Sequence, residues 1–242
     1  MWTATALSRE AHWRQGSAWR VVETQHQAST RRITRTFDEQ SRLEELLEQT
    51  KPPYPEAARR LHYLLKTPFR YHPPRPHGSR FRPPNAPWGV FYGSEYRRTA
   101  LAEFAFHRLR FFLRSQGTEL PRPEERLTVF EAGYRARRVL DLTRPPLDRE
   151  RDAWVNPDSY HATQQLAVEA RKAAIAVIRS ESARDPERGC NISVFHPAAF
   201  SSPEPLAMES WSLHLGAVEA VATRAMAAEG EHYVFKREAF GL

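Results

Sequence analysis

The run Gly78-Ser-Arg-Phe-Arg-Pro-Pro-Asn-Ala-Pro-Trp-Gly-Val-Phe-Tyr-Gly-Ser-Glu, continued to Glu103, constrains this chain more than any other stretch. Pro83, Pro84 and Pro87 fix the backbone of an irregular loop after Gly78. The short apolar stretch Gly89-Val-Phe-Tyr-Gly93 then reads as a buried strand. Ala100, Leu101, Phe104, Ala105 and Phe111 follow at helical spacing. A loop, a strand and a helix in immediate succession place Arg80 on the loop, Tyr92 at the strand end and Glu103 in the first turns of the helix. Such a grouping can surround a small anionic ligand.

Taken singly, each of these residues has an ordinary explanation. Arg80 and Arg82 fit the solvated surface of an Arg-rich protein, and Tyr92 fits a core edge with a satisfied hydroxyl. Ser182, in Arg-Ser-Glu-Ser-Ala-Arg-Asp, fits a turn. Glu103 is harder to dismiss, because a carboxylate flanked by apolar helix positions must be paired or functional.

Their joint order resembles the RES-domain family, named for an arginine, a glutamate and a serine. The match is carried by Arg80 in Gly-Ser-Arg-Phe, Tyr92 in Val-Phe-Tyr-Gly, Glu103 in Thr-Ala-Leu-Ala-Glu-Phe, and Ser182 ahead of Gly189-Cys-Asn-Ile-Ser-Val-Phe195. Two departures mark it: Arg82 stands where the family often has a small polar residue, and the loop before Tyr92 is slightly longer. Arg80 is preferred over Arg82 because it follows Gly-Ser and precedes an aromatic. Ser182 is preferred over Ser180 because Ala183 and Arg184 follow it.

The resemblance implies an α+β fold: a single ADP-ribosyltransferase-like domain with a mixed, mainly antiparallel sheet and flanking helices. It implies NAD+ as substrate, with no cofactor, and cleavage of the nicotinamide–ribose bond by hydrolysis or phosphorolysis, or else transfer of ADP-ribose to a protein. In that setting Glu103 faces the positive charge developing on the ribose. Arg80, with Arg82 as alternative, anchors the pyrophosphate. Tyr92 offers a ring and a hydroxyl, and Ser182 a small polar wall at the nicotinamide end. The implied partner is an Xre-type helix-turn-helix antitoxin, with DNA reached only through it. No metal is required, since the leaving group is already a cationic pyridinium.

Composition limits the alternatives. The chain has 242 residues, 40% hydrophobic and 27% charged, enough for a sizeable core. Its net charge of +7 comes almost wholly from arginine, lysine occurring only at 51, 66, 172 and 236, and points to an anionic partner without choosing among them. A basic nucleic-acid-binding module is one rival, supported by Phe81-Arg82 and Tyr96-Arg97-Arg98 but opposed by 29 interspersed acidic residues. A RES-like scaffold without catalysis is another. The single Cys190 rules out an intramolecular disulfide, fits a reducing cytoplasm, and in its Gly-Cys-Asn turn reads as structural even with His196 six residues on. The histidines form no HExxH pattern, and His72 and His77 fall in a Pro-rich segment, so no metal site is expected. Neither a secretory signal nor an apolar run of membrane length is expected.

Residues 1–18 read as a polar segment expected to be mobile, ahead of a RES-like NAD-binding domain over 19–242 whose helical part lies at about 36–66. Trp19 opens a short strand. Thr36-Phe-Asp-Glu39 is a capping box, and Leu43, Leu46 and Leu47 form a helix face ended by Pro52 and Pro53. A second short helix uses Ala57, Ala58, Leu61, Leu64 and Leu65, and 68–87 is an ordered loop or a linker. Leu127–Glu131 and Arg138–Thr143 read as a strand pair around Gly133. Tyr160 opens a helix that yields near Ala174 to a strand leading to Ser182. Strands at Cys190–Phe195 and Tyr233–Phe235 flank a helix over Pro205–Ala228. Such irregular alternation fits α+β better than a doubly wound sheet.

Overall fold

The computed structural model describes residues 2–24, 33–70, 78–115, 117–226 and 230–242. Among them are six α-helices: α1 (Ala4–Glu10), α2 (Phe37–Thr50), α3 (Tyr63–Arg70), α4 (Arg97–Arg114), α5 (Arg151–Trp154) and α6 (His161–Lys172). Eight strands form one sheet: β1 (His12–Glu23), β2 (Phe91–Ser94), β3 (Glu125–Asp141), β4 (Val177–Glu181), β5 (Cys190–Val194), β6 (Ala207–Leu215), β7 (Glu219–Arg224) and β8 (His232–Lys236). Their order is β1-β2-β5-β4-β3-β6-β7-β8, with an extra pairing of β1 to β3. Only β3 and β4 run parallel. The expected mixed, mainly antiparallel α+β architecture is what the chain adopts.

The extra pairing curls half of the sheet into a closed, barrel-like unit. β1 lies antiparallel to β3 from His12 opposite Val139 to Glu23 opposite Leu127, and Trp19 also pairs with Ser94 of β2. Alternate side chains therefore point inward. Ala18, Phe91, Phe130, Ala132, Tyr134, Val139, Val177, Ile192 and Val194 fill the interior, and Leu64, Leu65 and Phe69 of α3 pack against them. The interior also holds charge. Arg14 and Arg179 reach Glu95 at 2.8 and 2.7 Å, Arg179 reaches Asp141 at 3.1 Å, and the Thr143 hydroxyl donates to Asp141 at 2.6 Å. Burying a carboxylate this deeply is tolerable only with such pairing.

Two apolar layers cover the outside. α4 lays Leu101, Ala102, Ala105 and Leu109 on Leu127, Val129, Trp211, Leu213 and Phe235. α1, α5 and α6 contribute Leu7, Trp154, Leu166, Ala167 and Ala170 to a cluster with Leu140, Ile178, Phe81 and Phe195. The outer face of β2, β5 and β4 lies between these layers.

Several elements differ from the sequence reading. The segment 1–18, expected to be mobile, holds α1, capped by the Thr3 side chain, and the first seven residues of β1; Leu7 is fully buried. The strand therefore begins at His12, not Trp19. Leu127–Glu131 and Arg138–Thr143 are not a pair, because β3 runs straight through Gly133. That glycine is needed for closeness rather than for a turn: a Cβ there would stand 2.5 Å from Ser201 Oγ. The helix expected over Pro205–Ala228 is the β6–β7 hairpin. Trp211, Leu213 and Leu215 are buried alternately, a period of two that the Leu206–Trp211–Leu215–Val218 spacing disguised.

The helical part also departs in detail. α2 forms with Thr36 as cap, its hydroxyl accepting from Glu39 N at 3.1 Å, but none of its residues is buried and Leu46 and Leu47 are exposed. The second helix divides into a 3₁₀ turn at Glu56–Ala58 and α3, which continues through Pro68. His72 and His77 lie outside the described residues.

Candidate active site

The loop that opens the site is a tight turn. Ser79 and Arg82 exchange backbone hydrogen bonds of 2.8 and 3.0 Å, which leaves Arg80 and Phe81 at its tip. Phe81 is buried and anchors the tip in the core. Gly78 adopts φ +64°, and a Cβ there would lie 2.2 Å from the Arg82 carbonyl, so the position requires glycine. Tyr92, on the outer face of β2, holds the turn down: its hydroxyl bonds Ser79 Oγ at 2.8 Å and accepts from Phe81 N at 3.2 Å. Burial pushes the Tyr92 phenol above its ordinary value despite these bonds. The Tyr92 hydroxyl, offered by the sequence reading as a ligand contact, is thus engaged in holding the Arg80 loop.

Arg80 reaches across to the connection between α5 and α6. It donates to Trp154 O at 2.6 Å and Asn156 O at 3.2 Å, and its guanidinium lies 4.8 Å from the Tyr160 ring centre. Burial lowers its pKa, with Tyr160 and Glu103 opposing the shift. Arg184 fastens the same connection through Pro157 O at 2.5 Å. Arg82 instead folds back onto Ala86 O, 3.3 Å away on its own loop.

Glu103 projects from α4 over the outer face of β4 and β5. One carboxylate oxygen, Oε1, accepts from Ser182 Oγ at 2.6 Å and from Asn191 Nδ2 at 2.7 Å. The other, Oε2, lies 3.8 Å from His107 Nε2, one turn further along the helix, and the side chain retains 23% of its exposure. His107 is pushed below the usual imidazole value, foremost by loss of hydration; Arg184, Arg110 and Arg80 add to the effect against the pull of Glu103.

Ser182 is buried, and its hydroxyl also accepts from Arg184 N at 3.1 Å and Asp185 N at 2.9 Å. It is thus a bridge between a turn and Glu103 rather than a bare wall. The turn itself is tied to α4 by Arg98, 2.8 Å from Asp185. Ser180, one outward position earlier on β4, is buried with no hydrogen-bond partner for its hydroxyl.

The structure brings Tyr92, Glu103 and Ser182 to the outer face of β2, β5 and β4, with Arg80 near enough for its charge to be felt by Glu103, and turns Arg82 back onto its own loop. The sequence reading missed Asn191, Ser94, His107 and Arg184. His107 carried a signal, four residues after Glu103 on one helix face. Asn191 carried one in the alternation Asn191-Ile-Ser193-Val, whose polar members share a face. Cys190 points the other way, inward beside Arg179, and burial raises its thiol pKa. Among the described residues no cluster of three or more His, Cys, Asp or Glu could hold a metal, and no helix is long and apolar enough to cross a membrane.

A partly closed α+β sheet thus holds a carboxylate over its outer face, with Arg80 and Arg184 nearby. The family follows from comparison: the RES domain model matches residues 54–216, most of the chain, and the chain belongs to that family. In three dimensions it is similar to a chain of the M. tuberculosis MbcT–MbcA toxin–antitoxin complex, with a TM-score of 0.50 and 11% identity over 86% of this chain and 90% of that one. No curated protein matches the sequence significantly.

Proposed function

We propose that this RES domain cleaves the nicotinamide–ribose bond of NAD+ and acts as the toxin of a toxin–antitoxin pair. The observation that carries the reading is Glu103, fixed through Oε1 by Ser182 and Asn191, with Oε2 3.8 Å from His107 and the charges of Arg80 and Arg184 nearby. As the C–N bond breaks, its electron pair leaves with nicotinamide, which becomes neutral, and positive charge grows on the ribose. A fixed carboxylate stabilises that charge more effectively than solvent, because it needs no reorganisation. Arg80 is placed to exchange the Trp154 and Asn156 carbonyls for pyrophosphate oxygens. The acceptor oxygen then bonds to the anomeric carbon and loses its proton.

Water or phosphate is favoured as acceptor over a protein side chain. NAD+ is substrate rather than cofactor, and the reaction belongs to the cytoplasm, where NAD+ is available. The partner proposed is an Xre-type antitoxin that covers the cleft, a reading supported by family membership and by the toxin–antitoxin complex to which the fold is similar. Nucleic acid is reached only through that partner. Many arginines that suggested direct nucleic-acid binding are engaged within the chain: Arg97 with Glu209 and Glu231, Arg108 with Glu23 and Glu125, Arg151 with Glu181, and Arg224 with Glu209.

The test is NAD+ concentration over time with wild type and Glu103→Ala, in buffers with and without phosphate, with the ribose-containing product identified. Loss of NAD+ with wild type alone supports the reading, and the product names the acceptor. Undiminished NAD+ in both buffers, beside an active control enzyme, would refute it.

A further inference from the structure

Glu103 is held by a chain of hydrogen bonds extending beyond Ser182. Ser94 Oγ donates to Asn191 Oδ1 at 2.7 Å, and Asn191 Nδ2 donates to Glu103 Oε1 at 2.7 Å. The amide orientation is dictated by chemistry: an ionised carboxylate only accepts, so Asn191 must turn its nitrogen toward it and leave its oxygen for the hydroxyl. The arrangement depends on register, since Ser94 lies opposite Asn191 across β2 and β5, so that both point outward beneath α4. Ser94 is almost fully buried and Asn191 half-buried, so neither side chain is free to drift.

Two donors converge on one oxygen, from Ser182 and Asn191, and none of the described hydrogen bonds reaches Oε2. We infer that Asn191, oriented by Ser94, is a positioning residue that fixes the Glu103 carboxylate so that Oε2 faces the reacting ribose. An amide serves here where an acid would not: it donates to the carboxylate without bringing a second titrating proton to it. The inference rests on the NAD+-cleaving reading above.

The test compares wild type, Asn191→Ala, Asn191→Asp and Ser94→Ala as full chains. The rate of NAD+ loss is measured against pH, and thermal unfolding of each protein is recorded. Asn191→Ala is expected to lower kcat about 10- to 100-fold with KM near wild type, the usual consequence of loosening a reacting group. Ser94→Ala should shift kcat in the same direction by less. Asn191→Asp sets a second carboxyl against Glu103, among His107 of α4, Arg184 after β4 and Arg80 of the loop. Paired carboxyls share a proton, so the acid limb of kcat should move to higher pH, with activity recovered on the alkaline side.

Wild-type kcat and an unmoved acid limb in the Asn191 variants would overturn the inference. So would a loss of rate that only tracks the unfolded fraction. If the variants behave as wild type while wild type consumes NAD+, the inference alone falls; if wild type consumes none, the functional reading falls and takes the inference with it.

Discussion

At the scale of single residues, the polar groups of the candidate site are committed to one another. Tyr92 and Ser182, which the sequence suggests as ligand contacts, spend their hydroxyls on the Arg80 turn and on Glu103. Glu103→Gln keeps the shape but removes the charge and leaves an amide where Ser182 and Asn191 both donate. We expect it to abolish NAD+ turnover while a thermal melt stays within a few degrees of wild type. Arg80→Ala should raise KM for NAD+ more than it lowers kcat, and should also loosen the α5–α6 connection, since Trp154 O and Asn156 O lose their donor. Steady-state kinetics together with amide exchange over 154–160 separate the two effects. Arg82→Ala should leave both unchanged, and a large effect there would reverse the assignment of the arginine.

At the scale of elements, the turn from Ser182 to Gly189 connects the proposed catalytic carboxylate, Glu103, to the packing of α4. Gly189 lies where a Cβ would stand 2.0 Å from Thr99 Oγ1 and 2.8 Å from Asp185 Oδ2. Gly189→Ala must therefore push the turn off α4, breaking the Arg98–Asp185 tether and displacing Ser182 from Glu103. We expect a drop in urea midpoint together with a fall in kcat, whereas a change that merely perturbed the surface would give neither. The sequence made some elements plain: α4 and α6 from apolar spacing, and β2 and β5 from short apolar runs beside turn residues. It hid β3, because Gly133 resembles a turn signal, and β6–β7, because four large apolar residues happen to fall at near-helical intervals. A glycine selected for close approach and one selected for a turn are the same letter, and only the neighbour across the gap distinguishes them.

At the scale of the whole molecule, the β1–β3 pairing closes the sheet and traps the Arg14–Glu95–Arg179–Asp141 group. Burial alone would raise the Asp141 carboxyl, but the Thr143 hydroxyl and amide, with Arg179, outweigh it and hold the group below its ordinary 3.8. Because the folded value is the depressed one, this stabilisation is full above about pH 4 and is lost as pH falls through the folded value. Asp141→Asn should cost about 3 kcal/mol at pH 7, as one member leaves a buried set of charges. It should also flatten the acid side of the stability profile, and urea unfolding at pH 7 and pH 3 measures both. Equal losses at the two pH values would show that the carboxylate's charge contributes nothing to folding.

The sequence by itself determined the family and the α+β class, and named four candidate site residues in order, because these depend on residue type and short spacing. Only the tertiary structure decided that residues 12–18 extend the sheet, that the Tyr92 and Ser182 hydroxyls are engaged with the Arg80 turn and with Glu103, and that Asn191 and Ser94 stand behind Glu103. Ser94 and Asn191 are 97 positions apart. Whether they meet depends on the register of β2 against β5, and a slip of one residue in β2 would turn Ser94 into the interior while Asn191 stayed on the outer face. Register is set by how apolar residues on the opposite face pack inside a closed sheet, a sum over the whole core that no local stretch of sequence contains.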